Sequence, residues 1–174
     1  FKKVLGVDPA KEIAETATRN GTETIVGYFD TISLGYKNIL KKQNRKMPAA
    51  RHTAFLKNQP EKWKRFIPFV KAIDTQYKKL FPHHHQDQLK QAKKTKYHIK
   101  DTAFTTVTTN LNLQTGVHTD KGDYGDGFGN LVVIERGDYS GGYTGFPEYG
   151  VAVDLRSGDF LGMNVHKLHG NTPI

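Results

Sequence analysis

The chain contains no cysteine, two methionines and one tryptophan in 174 residues. Without cysteine there is no disulfide, no iron–sulfur cluster and no thiolate zinc site, so any metal must rest on His, Asp or Glu. The same lack fits a reducing, intracellular compartment, cytoplasm or nucleus. No apolar run approaches the ~20 residues of a membrane span. The N-terminal FKKVLGVDPAKE also lacks the apolar stretch of about 7–15 residues that a secretory signal carries. A chain that neither spans a membrane nor is secreted is the expectation. A P-loop, a nucleophile elbow and a dinucleotide fingerprint are missing as well, since GDGFGN lacks the strand-to-helix setting of a phosphate cradle. At 19.6 kDa the chain is long enough to bury a core, and one domain over residues 1–174 is expected.

Acid is scarce in one place. Between Lys37 and Lys100 stand eighteen Lys and Arg against three acids (Glu61, Asp74, Asp87), a local net of +15. The remainder has eight against fourteen, or −6, within the overall +9. Such separation suits a polyanion-facing surface, DNA foremost, beside a polar or metal-bearing region; a solvated, lysine-rich helix face gives the same count.

Periodicity supplies the elements. In QPEKWKRFIPFVKAIDTQYKKLF, Trp63, Phe66, Ile67, Val70, Ile73 and Tyr77 recur at helical spacing while most lysines fall elsewhere on the wheel. This predicts an amphipathic helix with its aromatic stripe in the core and Pro68 as a candidate kink. Pro82 closes it, and HHHQDQLKQAKKTK predicts a second, polar and basic helix. His83, His84 and His85 are consecutive and cannot all face one ion, so they read as a solvent-exposed helix start. Upstream, ETIVGYFDT after the turn RNGT predicts a short strand. After Lys100 the texture becomes Thr- and Val-rich and is punctuated by Gly, Pro and Asp, which predicts short strands with tight turns. The expected architecture is α+β: a helical, basic part over 1–100 and a β-sandwich or barrel over 101–174.

Chemistry concentrates in TGVHTDKGDYGD, residues 115–126. In an extended segment His118 and Asp120, two positions apart, point the same way and can reach one ion. A ferrous centre that activates oxygen takes two His and one carboxylate on one face. The second histidine must come from elsewhere, and His166 and His169 are the candidates, being the only histidines after His118. Taken alone, an H-x-D pair is a weak signal, because many such pairs are surface residues.

The ordered set HTD (118–120), GGYTGFP (141–147), SGDFLGM (157–163) and LHGNTPI (168–174) resembles the Fe(II)/2-oxoglutarate dioxygenases of the prolyl-hydroxylase-like branch. More closely, residues 118–161 look like the TET/JBP-type nucleic-acid base oxygenases. The resemblance covers about residues 102–174. It implies a double-stranded β-helix with a jelly-roll core, and it makes His169 the distal ligand, leaving His166 as a pocket residue. It also implies Fe(II) and 2-oxoglutarate as cofactors, with the far carboxylate of 2-oxoglutarate held by an Arg or Lys a short way beyond His169. That position falls past Ile174, so the last core strand and the anchor are expected outside this sequence. Arg156, in DLRSGD, reads as structural instead, and Arg136 carries no clear role.

The implied reaction hydroxylates the methyl group of a DNA base, 5-methylcytosine to 5-hydroxymethylcytosine or thymine to 5-hydroxymethyluracil. A base within a duplex must be flipped out to be reached, and polar side chains then read its edge. Asp123 is a candidate acceptor for that edge, with Asn110, Asn112, Tyr124 and His166 as further pocket candidates. The alternative readings are a protein or small-molecule hydroxylase of the prolyl-hydroxylase type, which leaves the +15 segment idle, and a non-catalytic jelly-roll binding module, against which the intact His118, Asp120 and His169 count.

Overall fold

The protein's structure, a computed structural model, describes residues 22–30 and 50–174. Most of the RNGT turn and the basic residues from Lys37 to Lys46 lie outside the described residues. Strands β1 (Thr22–Asp30) and β2 (Ala50–His52) precede helices α1 (Ala54–Asn58), α2 (Pro60–Leu80) and α3 (Pro82–Ala92). Then come β3 (Thr106–Leu111), β4 (Gly129–Val132), β5 (Thr144–Phe146), a 3-10 turn (Pro147–Tyr149), β6 (Val151–Val153), β7 (Phe160–Met163) and β8 (Gly170–Asn171). The result is an α+β arrangement of helices and antiparallel sheets.

Helix α2 follows from its sequence. Its apolar stripe buries Trp63, Phe66, Phe69, Val70, Ile73 and Tyr77, and with Phe55 and Ile99 most of it forms one core cluster. Each such side chain contributes roughly 1.5–3 kcal/mol on full burial, enough for packing to override the proline inside the helix. Pro68 sits on the exposed side, so the carbonyl that loses its partner faces water. Val107, Val132, Ile134 and Phe160 pack against the same cluster, so α2 covers strands of two different sheets.

Among the described residues the strands form three antiparallel sheets, ordered β2-β1-β3, β4-β7 and β6-β5-β8. The strand expected in ETIVGYFDT is β1, and it joins β3 along its length, from Thr22 opposite Leu111 to Gly27 opposite Thr106. Beside that expected strand, β2 is a further strand in the N-terminal part that the sequence did not indicate. Gly27 has φ +91°, and a Cβ there would meet the Thr105 carbonyl oxygen at 3.0 Å and Trp63 at 3.3 Å, so the position takes glycine. Thr53 accepts from Leu56 N–H as the cap of α1 and donates to the Gly27 carbonyl at 2.9 Å, fixing helix to strand.

The expectation of an exposed histidine run holds for His83 and fails for its neighbours. His85 is buried, with Nε2 3.0 Å from Asp74 Oδ1, and Asp74 also accepts from Ala103 N–H at 2.7 Å. His84 stacks on Phe128 with centroids 4.0 Å apart. Consecutive helical residues point about 100° apart, so the three histidines face different ways and His85 is the one turned toward α2.

Candidate metal centre

The loop from Leu113 to Asp120 runs antiparallel to the segment from Val165 to Thr172, and this pairing builds the site. His118 and His169 face each other in an isolated bridge, with His118 N–H donating to the His169 carbonyl at 2.9 Å and the reverse bond at 3.0 Å. Asp120 N–H donates to the Val165 carbonyl at 2.9 Å. Two separate stretches of chain thus converge at one point.

Each imidazole is oriented by the carbonyl two residues before it. His118 Nδ1 lies 2.7 Å from the Gly116 oxygen and His169 Nδ1 lies 2.8 Å from the Lys167 oxygen. A carbonyl only accepts, so Nδ1 carries a proton in both rings and Nε2 is the atom each ring can offer to a metal. The two Nε2 atoms converge on Asp120, at 3.3 Å from His118 Nε2 to Oδ1 and 3.7 Å from His169 Nε2 to Oδ2. One ligand atom from each of the three residues lies within 4.8 Å of the others. Atoms bound about 2.1 Å from one ion at right angles lie about 3 Å apart, so a small contraction closes the set around a metal. His169 is buried, whereas His118 and Asp120 keep about two-fifths of their side-chain surface open, which leaves one side for incoming molecules. Among the described residues this is the one cluster of its kind.

Around the three ligands the other expected residues divide. Asp123 N–H donates to the Asp120 carbonyl at 3.3 Å. Desolvation and the Asp120 carboxylate push the Asp123 carboxyl above its usual range, while His166 and His169 pull it down, although the residue as a whole keeps solvent contact. His166 is half-buried, and its Nε2 is buried with no hydrogen-bond partner. Tyr124 pairs with Asp126 instead. Asn110 and Asn112 are exposed, on and just past β3, Asn112 with a left-handed φ of 49°.

Gly141 and Gly142, at φ 79° and 69°, turn the chain into β5, and Gly158, at φ 93°, turns it into β7. Arg156 is bound to Asp154 at 2.6 Å and lies over the Tyr139 ring at 4.8 Å, a structural engagement. A cavity of about 410 Å³ lies between α3 and the loop after Asp120, and another of about 380 Å³ beside the His118–His169 bridge. Neither lining includes an Arg or Lys, so neither supplies the cation that a 2-oxoglutarate carboxylate requires. Sequence reasoning missed the Gly116 and Lys167 carbonyls, because a backbone acceptor carries no residue signature.

Two imidazoles and a carboxylate on one face, with the opposite side open, are the donor set of a non-haem ferrous oxygenase. The Tet_JBP family, the oxygenase domain of the 2OGFeDO superfamily, matches residues 32–174, and the chain belongs to that family. The bifunctional helicase and thymine dioxygenase JBP2 of Leishmania tarentolae is 35% identical over 150 residues, 86% of this chain and 13% of that protein. The thymine dioxygenase JBP1 of Trypanosoma brucei brucei is 32% identical over 124 residues, 71% of this chain and 14% of that protein. That of Crithidia fasciculata is 33% identical over 125 residues, 72% of this chain and 15% of that protein. The chain therefore spans a small part of these relatives' length. No solved structure matches it.

Proposed function

We propose that this chain is the oxygenase unit of an enzyme that hydroxylates the methyl group of thymine in DNA, using Fe(II) held by His118, Asp120 and His169 together with 2-oxoglutarate. The convergence of those three side chains carries the reading. The activity for which the relatives are named, thymine dioxygenase, favours thymine over 5-methylcytosine. A jelly-roll core is supported by the way the chain alternates between sheets: β4 in one, β5 and β6 in another, β7 back beside β4, and β8 again beside β5.

The bound iron and cosubstrate supply oxidation of an unactivated C–H bond; the chain's own work is placement. Gly116 and Lys167 hold the two rings by Nδ1 so that the Nε2 atoms face inward. Buried His169 keeps water from one side of the cluster. A flipped thymine presents an imide edge with a carbonyl on either side of an N–H. The unpartnered His166 Nε2 suits one carbonyl as a donor, and a carboxyl oxygen of Asp123 suits the N–H as an acceptor. Asn110, Asn112 and Tyr124 are further candidates for contact with the base. Exposed Lys78, Lys79, Lys90, Lys93, Lys96 and Lys100 suit phosphates, giving affinity without sequence reading. No helix among the described residues is long and apolar enough to cross a membrane. A DNA substrate and a cysteine-free chain both suit a reducing intracellular compartment.

The test is incubation of the protein with Fe(II), 2-oxoglutarate and thymine-containing or 5-methylcytosine-containing DNA, followed by nucleoside mass spectrometry. 5-Hydroxymethyluracil is the expected product. Oxidised cytosine alone would move the substrate to 5-methylcytosine, and turnover of a peptide with no oxidised base would replace the proposal by the prolyl-hydroxylase-type alternative. DNA affinity should fall steeply with salt, and indifference to salt would remove the lysines' phosphate role.

A further inference from the structure

The two stretches that bring the metal ligands together are held by backbone bonds at Asp120, His118 and His169. One step further along, the pairing changes character. Asn171 N–H donates to the Thr115 carbonyl at 3.2 Å, but Thr115 N–H is answered by a side chain, the Asn171 Oδ1 at 2.7 Å. The same oxygen accepts from Thr115 Oγ1 at 2.6 Å. On its other side, Asn171 Nδ2 donates to the Leu113 carbonyl at 3.3 Å and the Thr172 carbonyl at 3.1 Å. One amide thus makes four bonds, three of them to residues 56 or 58 positions away.

From this geometry we infer that Asn171 is a positioning residue for the metal centre, resting on the iron reading above. The route is short. Asn171 fixes Thr115; Thr115 precedes Gly116; the Gly116 carbonyl holds His118 Nδ1 at 2.7 Å and so aims His118 Nε2. The two segments are also pressed close, since a Cβ at Gly170 would meet Gly116 and Thr115 backbone atoms at 3.1 Å. On the far side Asn171 pairs with Thr144 of β5, which anchors the clamp in a sheet. A movable Asn171 would leave the His118 ring free to swing while buried His169 stayed in place.

The chemistry also says why the residue is asparagine. The position needs an acceptor toward Thr115 and donors toward two carbonyls at once. Aspartate offers acceptors only and would set a negative charge against the Leu113 and Thr172 oxygens. Alanine offers neither.

The experiment is an anaerobic titration of the purified chain with Fe(II), repeated with Co(II) as an optical probe, on wild type, Asn171→Ala, Thr115→Val and His118→Ala, each checked for folding by circular dichroism. Loss of groups that orient a metal ligand typically weakens binding about 10- to 100-fold, and that is expected for Asn171→Ala, with an altered Co(II) spectrum. A folded Asn171→Ala that is less stable yet binds metal as tightly as wild type, with an unchanged spectrum, overturns the inference and makes Asn171 a packing residue. Should Asn171→Ala not fold, Thr115→Val carries the test: it keeps the backbone bond, loses only the hydroxyl bond and is expected to weaken binding roughly three-fold. Unchanged affinity there overturns the inference. His118→Ala separates this claim from the one beneath it. If it binds like wild type, the iron assignment itself fails; if it loses binding while Asn171→Ala does not, only the clamp is wrong.

Discussion

Replacing Tyr77 by Phe deletes one oxygen and should loosen the attachment of the helices to the loop that follows Asp120. Tyr77 is completely buried on α2, and its hydroxyl accepts from Phe128 N–H at 3.1 Å while donating to Gln88 Oε1 on α3 at 3.0 Å. Gln88 in turn donates to the Ala103 carbonyl at 3.3 Å. Burial pushes the phenol's pKa upward, so it remains a neutral hydroxyl that can both give and take. Phenylalanine fills the same space, so no cavity opens and the polar loss is isolated. Gln88 is half-buried and can turn to water, whereas Phe128 N–H loses its acceptor. An orphaned donor of this kind costs about 1–3 kcal/mol, and about 2 kcal/mol lowers the thermal midpoint of a chain this size by roughly 4–8 °C. Urea unfolding followed by the fluorescence of buried Trp63, the single tryptophan, reads the change. A loss below about 0.5 kcal/mol would refute the reasoning, because it would mean that Phe128 N–H gains nothing from the phenol.

Two further outcomes follow from local geometry. Gly141→Ala places a Cβ 2.0 Å from the Pro173 carbonyl oxygen at a φ of 79°, so it should disrupt the Gly142 N–H bond to that oxygen and cost about 1–3 kcal/mol, measured by the same denaturation. A stability equal to wild type would refute the close approach of the C-terminal segment to β5. Lys71 Nζ donates to Asp101 Oδ2 at 3.0 Å and holds that carboxyl below its usual range. The pair's small contribution is therefore present above the ordinary titration range of Asp101 and lost as pH falls through the lowered one. Lys71→Met should raise the Asp101 titration in an NMR experiment, and an unmoved titration would show that the pair is not formed in solution.

Local pattern carried much of the architecture. The stripe from Trp63 to Tyr77 is a helix because six apolar residues share a face whose burial outweighs one proline, and that is visible at a distance of three or four residues. The turns before β5 and β7 are visible because Gly141, Gly142 and Gly158 adopt positive φ. What sequence spacing cannot carry is pairing across long separations. Nothing in ETIVGYFDT names β3 as its partner, some eighty residues on, and nothing in HHH names Asp74 as the carboxylate that draws His85 inward. At the site, His118, Asp120 and His169 were legible as residue types in a known order. The groups that aim them were not: two carbonyls belong to the backbone, and Asn171 reveals its four bonds only when the strands meet.

In the proposed enzyme His118, Asp120 and His169 seat one ferrous ion. Anaerobic Fe(II) titration of wild type against His169→Ala tests it most directly, with the stoichiometry and dissociation constant as the readout. The account predicts one tightly bound ion per wild-type chain and loss of that tight binding in the variant. Equal stoichiometry and affinity in the two proteins would contradict it.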